Sequence, residues 1–358
     1  MRPPVSPWPE GLDGLLAKTG GESLPLHTWR VLSRLAEHFR LRPNLHDRLA
    51  EPRLWHRLYW ACFLHDFGKA APGFQAVMHR QARRWPHRHE ALSLVYAGWL
   101  FPPGDVDRDW VLSTIASHHR EADTLYQAYL EETDTAQQAL ADLGAEISLE
   151  TAAALWRWLD ECGAAWIERL GLAEVVEPVP LTPLETALEI ARQADLAALL
   201  SEFVALSDAI TVRDAFDGLA RAGLAYRGLM QAADHIASSQ AAQTAGPLRP
   251  LSLSRQAALD DHQRAVESAP PAPALLVAPT GSGKTEAGLL WAARQAEMIT
   301  PPPSRLFYVL PYQASMNAMH HRLSGRHFPA EQVGLQHGRS LSRFYLDLLE
   351  GADLDAET

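Results

Sequence analysis

The chain has 358 residues and a mass of 39.6 kDa, more than one ordinary hydrophobic core holds, which predicts two domains. Hydrophobic residues make up 47% and charged residues 21%, which excludes a disordered or fibrous protein. The net charge of -11 argues against a protein that simply coats nucleic acid. The acidic excess is local, however: residues 1–120 carry 16 Lys and Arg against 11 Asp and Glu, whereas residues 121–230 carry 6 against 20. The first third of the chain is therefore the part suited to a polyanion.

The sequence predicts a cytoplasmic protein with no membrane partner. Apolar stretches such as 91–103 are shorter than a bilayer requires, and no apolar segment follows Arg2 as in a secretory signal. Cys62 and Cys162 are the only cysteines and lack metal-type spacing, which favours a reducing compartment.

From Pro25 to about residue 240, apolar residues recur at three- and four-residue spacing, which predicts a bundle of helices. Within it, residues 121–205 are rich in Ala, Leu and Glu and read as solvated helices without chemistry. The segment Ala241–Pro250 (AAQTAGPLRP) is a plausible linker.

Beyond the linker the pattern changes to that of an α/β protein. Short apolar runs at 274–278 and 305–312 predict strands on either side of the helix TEAGLLWAARQAEMI, followed by a helix at 313–323 and a short strand VGLQHG. Because two or three parallel strands do not make a domain, we expect an incomplete one.

A phosphate-loop motif lies between the first of these strands and its helix, in the run Ala278–Thr285 (APTGSGKT). Gly281 and Gly283 allow the backbone N–H groups to converge on phosphate oxygens, Lys284 would reach the β and γ phosphates, and Thr285 would hold Mg²⁺. The alternative is a simple Gly-Ser turn. Upstream, Gln263 either reads adenine or is a polar surface residue. The predicted nucleotide-binding set is Gln263, Thr280, Gly281, Ser282, Gly283, Lys284 and Thr285.

A second constellation of histidines and aspartates lies in the helical region. Its parts are the doublet His65-Asp66 followed by Lys69, His89 before a Glu, the doublet His118-His119, a late Asp234 and an early His27. Imidazole and carboxylate are ligands that divalent transition metals accept, and one carboxylate can bridge two ions. Two such ions suit in-line attack on a phosphodiester. Each histidine alone is more simply a buried core residue, but the combination predicts a metal site. Glu90 and Ser238, which adjoin predicted ligands, either support the ligands or belong to a helix cap or a solvated face.

Together these motifs resemble the HD nuclease-helicases of type I CRISPR systems, in which an HD nuclease domain precedes a superfamily 2 helicase. The matching motifs are HTW at His27, HDFGKA, HEALS, SHH, ADHIASS, APTGSGKTEAGL, LPYQASMNAM and LQHGRS. The resemblance implies that His27, His65, Asp66 and Asp234 bind one ion. It implies that Asp66 is shared and that His89, His118 and His119 bind the other, with Lys69 on substrate phosphate; Asp66 and Lys69 are thus the expected catalytic residues.

The expected fold is a mostly α HD helical bundle (1–240), a linker with an entry helix (241–273) and a partial RecA-like P-loop domain (274–358). The expected function is metal-dependent endo- and exonucleolytic degradation of single-stranded DNA in type I CRISPR interference. The expected cofactors are two Mn, Fe, Co or Ni ions, with ATP and Mg at the phosphate loop of the complete protein. A Cascade-type surveillance complex is the expected partner.

The chain departs from the family after Thr285, where no Asp-Glu-x-His segment and no second RecA-like domain follow. We therefore expect a truncated or split product whose helicase half, if present, is a separate chain, and whose ATPase part is inactive alone. Two alternatives stay open: an HD-type nucleotide phosphohydrolase, and a non-catalytic remnant that binds DNA or the Cascade complex.

Overall fold

A computed structural model of the protein describes residues 8–9, 11–214, 216–239, 259–270, 272–298 and 305–337. The chain divides into two compact units, Met1–Thr244 and Ala245–Thr358. The predicted linker at 241–250 lies outside the described residues.

The first unit is a helical bundle, as the three- and four-residue spacing predicted. Its helices are α1 (Leu24–Leu41), α2 (Leu45–Leu49), α3 (Leu54–Leu64), α4 (Pro72–Met78), α5 (His89–Ala97), α6 (Arg108–Ser117), α7 (Ala122–Tyr129), α8 (Asp134–Ala145), α9 (Leu149–Leu170), α10 (Leu184–Arg192), α11 (Leu196–Thr211) and α12 (Gly218–Ser238). A 3₁₀ turn, Phe67–Ala70, follows α3. None of the described helices is long and apolar enough to cross a membrane.

Local sequence signals set several helix ends. The side chains of Ser23, Thr133 and Ser148 cap the first turns of α1, α8 and α9 by accepting backbone N–H groups. Gly171 ends α9 in the left-handed region, at φ 69°, which a residue without Cβ adopts at little cost.

Large aromatic side chains fill the core of this unit. Phe67 stacks on Trp158 with ring centroids 5.2 Å apart, and Phe63 packs against both Trp158 and Trp166. In the same core, α3 contacts α1, α6 and α12. Because α3 leads directly into the His65-Asp66 doublet, this aromatic core supports the backbone of the candidate site.

The second unit contains α13 (Asp261–Glu267), α14 (Lys284–Met298), α15 (Gln313–Arg326) and a 3₁₀ turn, Ala330–Gln332. The helices predicted at 285–299 and 313–323 thus match α14 and α15. The strands predicted at 274–278 and 305–312 and in VGLQHG are not formed by the residues that the structure describes there.

Among the described residues, the predicted strands lack the neighbours that a strand needs. A strand is stable only when a neighbouring strand pairs with its backbone and another layer covers its side chains. Here Leu275, Val277, Phe307 and Val309 are 91%, 86%, 77% and 84% exposed, so neither condition is met among the described residues. The parallel sheet of a RecA-like domain is therefore not seen in this part of the chain.

Candidate metal centre

Five separate parts of the bundle deliver the seven predicted ligands to one place. His27 lies in the first turn of α1, Asp66 directly after α3, His89 at the first residue of α5, and Asp234 in the last turn of α12. The doublet of histidines directly follows α6. The side chains that meet are those of His27, His65, Asp66, His89, His118, His119 and Asp234.

Asp66 lies at the centre, and its two oxygens face different histidines. Oδ2 lies 3.2 Å from Nε2 of His65 and 3.4 Å from Nε2 of His27. Oδ1 lies 3.2 Å from Nε2 of His89. A fully buried carboxylate with this orientation is suited to bridge two cations.

The first group of candidate ligands consists of His27, His65 and Asp234, all buried, with ligand atoms within 4.8 Å of one another. Asp234 Oδ1 lies 3.1 Å from Nε2 of His27. Nδ1 of His65 donates to the Cys62 carbonyl at 2.8 Å, so Nε2 carries the lone pair and points into the site.

The second group consists of His89, His118 and His119, whose ligand atoms also lie within 4.8 Å of one another. Nδ1 of His118 donates to the Ile115 carbonyl at 2.5 Å, which leaves its Nε2 as a lone-pair donor. His119 is the exposed member, so this side of the centre opens to solvent.

Several buried polar atoms at the centre have no hydrogen-bond partner among the described residues: Nε2 of His65, His89 and His118, and Oδ1 of Asp66. Orphaned buried polar atoms are costly unless something compensates them. Nitrogen lone pairs around a carboxylate are the donor set of a divalent transition metal, so these residues fit such ions.

The protonation states of Asp66, His118 and His119 also suit metal binding. Burial raises the pKa of Asp66, but the neighbouring His65 and Lys69 outweigh it and hold that pKa well below its usual value. Burial lowers the pKa of His118, and burial together with His89 lowers the pKa of His119 to about 4. At neutral pH these two imidazoles are neutral and the carboxylate is ionised, as metal ligands must be.

Lys69 lies within the site, as the motif suggested. Its Nζ donates to Asp66 Oδ2 at 2.7 Å, and the residue is 8% exposed. The lysine therefore compensates the buried carboxylate from the side of the 3₁₀ turn.

Close packing against α5 requires a glycine at position 68, between Asp66 and Lys69. A Cβ at Gly68 would lie 2.1 Å from the His89 carbonyl oxygen and 2.9 Å from the Ser93 nitrogen. The Gly68 N–H donates to Ser93 Oγ at 2.8 Å, and that hydroxyl donates to the His65 carbonyl at 2.7 Å. The close approach of α5 to the turn is what brings His89 to Asp66.

Two residues that the sequence analysis missed lie at the centre. Glu22 is buried beside Nδ1 of His27, and His235 groups with His119 and Asp234. His235 adjoins Asp234 in sequence and could have been found on that ground; nothing in the pattern marked Glu22.

The two supporting candidates are in contact with ligands. Ser238 donates to Asp234 Oδ1 at 3.2 Å, and Glu90 Oε2 lies 3.5 Å from Nδ1 of His89. Both are placed to orient a ligand.

The phosphate-loop motif forms a tight turn at the start of α14. Gly281 and Gly283 adopt φ values of 82° and 73°, which only glycine takes readily. Lys284 Nζ donates to the Ala278 and Pro279 carbonyls at 2.9 and 2.7 Å, and Gln263 Nε2 donates to the Gly283 carbonyl at 3.2 Å. The structure thus brings Gln263 to the loop; Thr280, Ser282 and Thr285 belong to the same turn and helix start.

This helical scaffold and its seven clustered side chains define an HD-type domain. Residues 26–243, more than half of the chain, match the family model described as "Cas3, HD domain", and the chain belongs to that family. The resemblance to the HD nuclease-helicases of type I CRISPR systems is thereby confirmed.

Two known relatives match shorter parts of the chain. The candidate CRISPR-associated nuclease/helicase Cas3 of Myxococcus xanthus (strain DK1622) is 39% identical over 29% of this chain, and the CRISPR-associated nuclease/helicase Cas3 of Methanothermobacter thermautotrophicus is 34% identical over 23%. The matched regions span 16% and 10% of the lengths of those relatives. The crystal structure of T. fusca Cas3-ATP aligns with 92% of this chain and 39% of its own, at 20% identity and a TM-score of 0.43.

Proposed function

We propose that this chain is a metal-dependent nuclease that cleaves single-stranded DNA in type I CRISPR interference, with a Cascade-type complex as its recruiting partner. The observation that carries the proposal is the buried Asp66, with one oxygen toward His27 and His65 and the other toward His89. One carboxylate placed between two histidine groups is suited to hold a pair of metal ions.

The candidate ligands form two groups, one for each ion. His27, His65 and Asp234 would hold one ion, and His89, His118 and His119 the other, with Asp66 shared. Two divalent ions bound there would supply an activated water and charge stabilisation to a phosphodiester. The chain itself orients the imidazoles through the Cys62 and Ile115 carbonyls, which keep the Nε2 atoms facing the centre.

Lys69 is the further residue placed for the reaction. Its ammonium group neutralises Asp66 in the absence of a substrate and would turn one of its three N–H groups toward the substrate phosphate. The solvent-facing His119 marks the side from which a strand would enter.

The second unit supports a proposal of its own: the start of an ATP-dependent helicase domain, with nucleotide and Mg bound by Lys284, Thr285 and the glycine turn. The positive φ of both glycines and the contact of Gln263 with Gly283 support it.

Reconstitution tests the nuclease proposal. The full chain is stripped with a chelator, loaded with Mn²⁺, Fe²⁺, Co²⁺, Ni²⁺ or Mg²⁺, and incubated with circular single-stranded DNA, linear duplex DNA and a panel of nucleotides. We expect cleavage of the circle with the transition metals and little with Mg²⁺, which prefers oxygen ligands. Hydrolysis of nucleotides alone would favour a phosphohydrolase, and failure to bind metal would favour a non-catalytic remnant.

A further inference from the structure

A cavity of about 440 Å³ opens beside the second group of candidate metal ligands. Its walls are the face of α4, the loop 79–88, the start of α5 and the residue after the histidine doublet. The side chains used below are those of Phe74, Trp85, Arg88, His89, His119 and Arg120. The volume lies in the range of pockets that hold one small organic group.

Aromatic rings line the path from the cavity wall to the metal centre. Phe74 meets Trp85 edge to face with centroids 5.5 Å apart, and it also meets His89 with centroids 6.0 Å apart. The Trp85 indole donates to Glu146 Oε1 at 3.2 Å. Trp85 is thus held at one edge while staying partly exposed, which makes it a fixed platform for a flat ligand.

The rim of the cavity is basic. Arg88 and Arg120 line the cavity, and the loop 79–88 (HRQARRWPHR) carries three further arginines and no acid. The five arginine side chains make no ion pair with any residue that the structure describes. The buried Glu90, which lies beside His89, is the only acidic residue lining the cavity within the described part of the chain. The guanidinium groups of Arg88 and Arg120, together with an aromatic platform, suit phosphates flanking a base.

We propose that this cavity is a subsite for one nucleotide of a single-stranded DNA chain, with its base stacked on Trp85 and its phosphates held by Arg88 and Arg120. The proposal rests on the proposed nuclease function and specifies how the substrate strand is held. Because His89 and His119 line the cavity, a phosphate next to the stacked base reaches the metal centre.

The same geometry discriminates against duplex DNA. A base in a duplex is paired and stacked on both faces, so its face reaches Trp85 only if the nucleotide leaves the stack, which costs free energy. A single strand offers an unpaired base without that cost. The subsite therefore favours single strands whatever the base identity, because every base has a π face.

Binding is measured with the full chain in a chelator, so that the strand stays intact. The probes are a fluorescein-labelled oligodeoxythymidine and a strand carrying 2-aminopurine, whose fluorescence falls on stacking. Trp85→Leu should weaken binding roughly tenfold and abolish the 2-aminopurine quenching. Trp85→Tyr, which keeps a ring, should restore both. Arg88→Gln and Arg120→Gln should each lower the slope of log Kd against the logarithm of the salt concentration by about 0.7.

Matched controls lie away from the cavity. Trp156→Leu removes a partly exposed indole on α9, and Arg221→Gln removes an exposed arginine on α12. Both should bind as the parent does. If Trp85→Leu melts at lower temperature than the parent, the arginine variants and Trp85→Tyr still decide the matter.

Two results overturn the proposal in distinguishable ways. If the parent cleaves single strands with Mn²⁺ but Trp85→Leu and Arg88→Gln bind the strand as tightly as the parent, the subsite is wrong and the nuclease function stands. If the parent hydrolyses free nucleotides and neither binds nor cleaves the strand, the proposed function fails and the subsite with it.

Discussion

Oε1 of Glu22 lies 3.5 Å from Nδ1 of His27, while Nε2 of the same imidazole faces Asp234 at 3.1 Å and Asp66 at 3.4 Å. Glu22 also accepts a hydrogen bond from Arg30 at 2.8 Å, which holds it in place. A carboxylate behind a histidine favours the tautomer with the proton on Nδ1 and leaves Nε2 for a metal. Burial raises the pKa of Glu22, but His27 and the neighbouring cations lower it to about 2, so the carboxylate is charged.

Glu22→Gln should therefore weaken metal binding about 10- to 100-fold without unfolding the domain. Metal affinity is measured by competition with a chelator, and folding by thermal melting. Glu189→Gln, which changes a partly exposed carboxylate that pairs with Arg192 on α10, serves as the control. Equal metal affinity in Glu22→Gln and the parent would show that Glu22 does not orient His27 for metal binding.

Asp66→Asn should lower nuclease activity by about a hundredfold or more while the helical fold remains. The amide keeps the shape and one oxygen for Lys69 but removes the charge that two ions would share. Circular dichroism should be unchanged, and the bound metal per chain should fall. Cleavage at the parental rate by a metal-loaded variant would contradict the two-metal arrangement.

Gly68→Ala should destabilise the first unit by about 1–3 kcal/mol, because the new methyl group overlaps the backbone of α5. Chemical denaturation measures the loss. Gly144→Ala is the matched control, because its Cβ meets Leu196 at an ordinary 3.8 Å and alanine favours the helix by about 1 kcal/mol. Equal effects of the two substitutions would show that the approach of α5 to Gly68 is looser than described.

His56 should make the folded state sensitive to acid. Burial and the charge of Arg53 lower its pKa from 6.5 to about 4. The unfolded chain therefore binds more protons between these values, so stability is present above pH 6.5 and is lost as the pH falls toward 4. The loss amounts to about 3 kcal/mol at most. Unfolding free energies at pH 7 and 4.5 should differ less in His56→Gln than in the parent; an unchanged difference would assign the acid sensitivity to other groups.

Lys284→Ala should leave the cleavage of single-stranded DNA unchanged, with or without ATP. The seven candidate ligands all precede residue 240, whereas Lys284 belongs to the second unit. Digestion and phosphate release are measured side by side. Cleavage that required ATP hydrolysis would contradict the independence of the metal centre.

The motif residues could be predicted from the sequence because their chemistry is local in the chain. His65 and Asp66 are adjacent, and the doublet His118-His119 directly follows α6. The three- and four-residue spacing likewise predicted the helices of the bundle, since each must bury an apolar face.

Other features depended on partners distant in sequence. The role of Glu22 arises because the turn before α1 folds back on His27, and the cavity beside Trp85 needs α4, a loop and Arg120 together. The strands predicted after residue 273 are not formed by the described residues, although the sequence pattern for them is clear. Their apolar pattern is present in the sequence, but a strand exists only when another pairs with it, and that pairing is a property of tertiary structure rather than of the segment itself.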